Sequence, residues 1–92
     1  MHQYHEDSLR IVVLLDRFRL QRLPVAQGIR QRVVQGHRLA EHEIEFLWRE
    51  FASVQELRPL ATRNPEVAQL MGSITYLYTE IVDTALANEQ RR

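Results

Sequence analysis

Apolar positions recur at helical spacing along nearly the whole chain, and breaks in that pattern divide it into four segments. The first carries Ile11, Leu14, Leu15 and Phe18 on one face. It is predicted to open at Asp7 or Ser8, either of which can accept a bond from a free backbone N–H, and to run to about Arg22, ahead of Pro24. Leu9, Val13 and Leu20 fall near the opposite face, with Val12 and Leu23 between. A helix apolar on two sides must be covered on two sides. Residues 11–15 alone are also compatible with a buried strand, but the charged flanks and the LDRFRLQ pattern that follows favour helix.

Pro24 suits the first turn of a second, short helix, because a proline there loses no bond the helix would have made. Val25, Ile29 and Val33 recur every four residues along it, and Gly36 is placed to end it in a left-handed conformation. The alternative is one long helix bent at Pro24. The third helix is predicted to start at Ala40. That choice puts Leu39 and Ile44 in position for a hydrophobic staple and Glu43 in the acidic half of a capping box, although alanine has no oxygen to complete the other half. Its predicted inner stripe is Ala40, Ile44, Leu47, Trp48 and Phe51, with Phe46 and Leu57 on the other side and Pro59 ending or bending it. In the fourth helix Asn64 is the predicted N-cap, Pro65 the first helical residue and Glu66 a charge suited to the helix dipole. One face then carries Val67, Leu70, Met71, Ile74, Leu77, Tyr78, Ile81, Val82 and Ala85. The expected fold is all-α, a small antiparallel bundle of three to four helices in a single domain spanning 1–92, with 1–6 and 88–92 frayed.

Composition narrows the function classes. Ninety-two residues make one domain, and 45% apolar content with 26% charge is that of a globular chain. A core of this size is modest, so a homodimer is expected, with Leu9, Val13 and Leu20 as the candidate self-association surface. Cysteine is absent, which excludes disulfides, thiolate metal sites and a cysteine nucleophile. The longest apolar run is residues 11–15, far short of the roughly 20 a membrane helix needs, so no membrane association and a cytoplasmic setting are expected.

Every base is arginine, which removes lysine-based nucleophiles and proton acceptors. The zero net charge hides an asymmetry: residues 1–38 hold seven arginines against three acids, a balance of +4, and residues 39–92 hold five against nine, a balance of −4. Arg17, Arg19, Arg22, Arg30, Arg32 and Arg38 form a block containing no acid, followed by Glu41, Glu43, Glu45, Glu50 and Glu56 with only Arg49 among them. The two blocks are expected to face one another within or between chains. The sharper reading is that the six arginines bind an anion or nucleic acid. A helix-turn-helix reading of the second and third helices fails on charge, because the helix entering the groove would lead with Glu41, Glu43 and Glu45.

Candidate chemistry is thin. His2 and His5 lie near Glu6 and Asp7, and His37 and His42 near Glu41, Glu43 and Glu45, but no glutamate is followed three residues later by histidine as a di-iron bundle requires. No metal and no cofactor are expected. Ser53, Ser73, Thr75, Thr79 and Thr84 have no neighbouring histidine in sequence, and no phosphate-binding loop or nucleophile elbow is present. In length, helicity and arginines such as Arg10, Arg17 and Arg30 the chain is similar to the helical chorismate mutases, intertwined dimers that bind a dianion; it departs from them in lacking the active-site lysine. Tyr76, Phe46, Leu9, Val13 and Leu20 lie outside the main stripes, which suggests either a buried partner surface or cover from within. The expected function is a non-enzymatic interaction or regulatory module presenting helical surfaces. Nucleic-acid or anion binding is the alternative, and a small helical enzyme of chorismate-mutase type ranks third.

Overall fold

The computed structural model describes the backbone of residues 2–91 and the side chains of residues 7–91, and among these every regular element is helical. Helix α1 (His2–Arg17), a π-helical turn (Phe18–Arg22) and helix α2 (Leu23–Val34) form one continuous rod roughly 50 Å long at 1.5 Å per residue. Helix α3 spans Glu41–Gln55, the single-turn helix α4 spans Arg58–Arg63, and helix α5 spans Pro65–Gln90. The molecule measures 56 × 21 × 17 Å. Its radius of gyration of 15.1 Å exceeds the roughly 12 Å of a compact chain of this length.

The long-helix alternative therefore holds, but the adjustment sits before Pro24 rather than at a bend. A proline inside a helix has no N–H to donate, and its ring clashes with the carbonyl four residues back. Widening the preceding turn relieves both: Leu23 N–H donates to Phe18 O, five residues back, and the helix resumes beyond it. At the other end α1 opens upstream of Asp7 rather than at it. Asp7 is buried among polar partners instead, accepting from Arg63 Nε at 2.9 Å and Nη2 at 3.2 Å and from Asn64 Nδ2 at 3.3 Å. The expectations for the side chains of residues 1–6 lie outside the described residues.

Gly36 ends α2 as expected, with φ +95°. His37 N–H donates to Arg32 O and Gly36 N–H to Val33 O, both at 3.0 Å, the two bonds of a Schellman motif. Ala40 is the N-cap of α3, and the Glu43 carboxylate accepts from its backbone N–H at 2.7 Å. Asn64 is the N-cap of α5 by position, but its side chain does not cap. Its amide donates instead to Leu60 O and Asp7, joining α4 to α1. Pro59 does not simply end α3; it sits in the first turn of α4, where its missing N–H is harmless.

The main core gathers Ala26, Ile29, Val33, Leu47, Val54, Ile74, Tyr78 and Ile81, with Phe51 meeting Tyr78 edge-on at 5.5 Å between ring centroids. A smaller cluster of Leu57, Leu60 and Val67 receives Ile11 and Leu14 of α1. Two predicted stripes are rotated. In α2 the buried row begins at Ala26, leaving Val25 exposed, and in α3 it is Glu43, Leu47, Glu50 and Val54, leaving Ile44 and Trp48 outside, Trp48 at 73%. The α3 rotation follows from side-chain partners: Glu43 and Glu50 turn inward to meet Arg32 and Arg22 on the rod. The α5 stripe is observed as predicted. Residues 88–90, expected to fray, continue the helix, because Asn88 is buried and donates to Val33 O at 2.7 Å and His37 O at 3.4 Å, capping α2.

Candidate functional site

The basic block meets carboxylates of the same chain, two in the acidic block and two in α5. Arg22 Nε lies 3.5 Å from Glu50 Oε1, Arg30 Nη2 2.8 Å from Glu80 Oε1, and Arg38 Nε 3.1 Å from Glu89 Oε1, while Arg32 pairs with Glu43. Three of the six candidate anion-binding arginines, Arg22, Arg30 and Arg32, thus hold the rod against α3 and α5, and Arg38 ties the loop after α2 to the end of α5. Arg19 pairs with Asp16 one turn back on its own helix, at 3.2 Å. Arg17 is the one of the six with no ion pair among the described residues. The hydrogen bond to Glu80 strengthens the hold of Arg30 on its proton, as the bond to Asp7 does for Arg63.

The candidate self-association surface is open. Leu9 is 61% exposed, Val13 50% and Leu20 67%, and Val12 is exposed beside them. Among the described residues no other element covers this face. The opposite flank, Ile11, Leu14 and Phe18, is half-buried against the two clusters, whereas Leu15, expected on the same face, is exposed because neither cluster reaches it. Of the two coverings a two-sided apolar helix requires, the chain supplies one.

Two concave features lie elsewhere. An apolar groove of about 370 Å³ runs between α3 and α5 beside the exposed Trp48. A more polar cavity of about 150 Å³ lies between the rod and the α3 and α5 helices, and Arg10, Arg17, Arg22 and Glu50 are among the residues that line it. Burial raises the pKa of Glu50, an effect that Arg22 and Arg49 oppose. Burial likewise raises that of Tyr78, whose hydroxyl has no hydrogen-bond partner and feels the Glu50 charge. Sequence spacing missed this cavity, since Arg10 and Arg17 already share a face but Arg22 joins them only once the π turn is in place.

His37 and His42 are exposed, and the side chains of His2 and His5 lie outside the described ones. Among the described residues no group of three or more metal-ligating side chains is assembled, and no helix is long and apolar enough to cross a membrane. No family model matches the chain, and neither a curated protein nor a solved structure is significantly similar to it.

Proposed function

We propose that the protein is a non-enzymatic helical interaction module, an antiparallel bundle that works as a homodimer joined through the open face of α1. The carrying observation is the stripe of Leu9, Val12, Val13 and Leu20, left uncovered on a rod whose other flank packs inward. Its occupant is a second copy. A two-fold axis needs a self-complementary patch, and this stripe has one: a leucine at either end and a valine pair between. Antiparallel apposition of two copies sets Leu9 of one against Leu20 of the other, with the valines near the axis. The stripe spans roughly 16 Å at 1.5 Å per residue, long enough for three turns of helix pairing. The cysteine-free composition agrees with a cytoplasmic setting, which is part of the proposal.

Nucleic-acid binding is the weaker reading, because Arg22, Arg30, Arg32 and Arg38 spend their charge on carboxylates of the same chain. Light scattering over a concentration series tests the dimer: twice the chain mass at high micromolar concentration is expected, with Val13→Glu and Leu20→Glu both shifted to monomer at unchanged helicity. A wild-type chain that stays monomeric there removes the proposal.

A further inference from the structure

The π turn does more than admit Pro24. In an uninterrupted α-helix the residue two turns beyond Leu14 on its face is Gln21; the extra residue in the widened turn puts Arg22 there instead. Arg10, Leu14, Arg17, Phe18 and Arg22 consequently share one wall of the 150 Å³ cavity, facing Glu50 and Glu56. Three guanidinium groups against two carboxylates leave one positive charge unbalanced. The pairing is also incomplete: Glu50 meets Arg22 at 3.5 Å, while Arg10, Arg17 and Glu56 have no ion pair among the described residues. Between the charged groups the cavity is apolar, with Leu57 and Ile74 among its lining.

We infer that this cavity binds a small organic monocarboxylate with an apolar body, its anionic end held by Arg10 and Arg17 and its body against Leu14 and Phe18. One negative charge neutralises the wall, where a dianion would overshoot. A planar guanidinium presents paired donors that match a carboxylate. A space of about 150 Å³, bounded by both charged and apolar side chains, is on the scale of a single aromatic ring, so the expected ligand is a small aromatic acid.

Benzoate is the probe, and benzyl alcohol the uncharged control of the same shape. Titration of the full chain, followed by amide NMR shifts, should saturate with benzoate in the millimolar range or below, at least about tenfold more tightly than with benzyl alcohol. The shifts should centre on the π turn and on α3 around Glu50. Arg10→Gln and Arg17→Gln, both at exposed positions and checked for unchanged melting, should each weaken benzoate by about tenfold and leave benzyl alcohol unaffected. The inference is overturned if benzoate gives no saturable shifts at about 10 mM, if benzyl alcohol binds equally well, or if both arginine variants keep wild-type affinity. The readout is independent of oligomeric state, so it stands or falls apart from the dimer.

Discussion

Helices α1 and α2 are two halves of one rod, yet they are used in opposite ways. Helix α2 contributes Ala26, Ile29 and Val33 to the core, all nearly inaccessible, and its last turn is held by Asn88 and Arg32. Helix α1 is comparably rich in large apolar residues, with Leu9, Ile11, Val12, Val13, Leu14 and Leu15, but none of these is buried; its fully enclosed side chain is Asp7. Hydrophobic content therefore does not decide which half enters the core. What decides it is how much surface the rest of the chain brings alongside. Helices α3 and α5 both pack where α2 lies, while α1 meets the short α4 and the start of α5 along one flank. The surplus on α1 is what a second copy would use.

The contrast can be broken from either half. Truncating Ile81, enclosed where α2 and α5 meet, to alanine should cost about 2–5 kcal/mol in chemical denaturation, whereas Leu9→Ala should cost under about 1 kcal/mol when the chain is dilute enough to be monomeric. Comparable losses at the two sites would mean that α1 is buried in solution even in a single chain. Asn88→Ala removes the donor that caps α2 and should lower stability by about 1–2 kcal/mol, with faster hydrogen exchange in the last turn of α2 and no change in α1. Ala40→Ser supplies the missing half of the capping box and should add about 0.5–1 kcal/mol; a lower melting temperature would show that α3 starts elsewhere.

The smallest effect concerns Glu50. Its folded pKa lies above the ordinary carboxylate value, so between about pH 4.3 and the raised value the native state binds more protons than the unfolded one. Its contribution is complete below that window and is lost as pH rises through it. Glu50→Gln should flatten the stability–pH curve there, read from denaturation midpoints at several pH values. An unchanged slope would mean that Arg22 compensates the burial fully.

Much of the local structure is legible without coordinates because it depends on neighbours in sequence. The Gly36 turn, the start of α3 at Ala40, the start of α5 at Asn64 and the long face of α5 each rest on one residue's backbone preference or on a regular period. The misreadings involve polar side chains with distant partners. Period alone cannot show that Glu43 and Glu50 turn inward to meet Arg32 and Arg22, so Trp48 looks like core and is solvent-exposed. Nor can it show that Asn88, in a polar tail, reaches Val33 more than fifty residues away.

The amino-acid order by itself determined that the chain is helical, where most turns fall, and that α1 carries more apolar surface than one flank can hide, since periodicity and chain-breaking residues act over a few positions. Tertiary structure alone decided which residues face inward and which carboxylates of the chain the arginines of the basic block meet. Those outcomes depend on groups 11 to 56 residues apart settling their charges and hydrogen bonds together, a competition with no local signature.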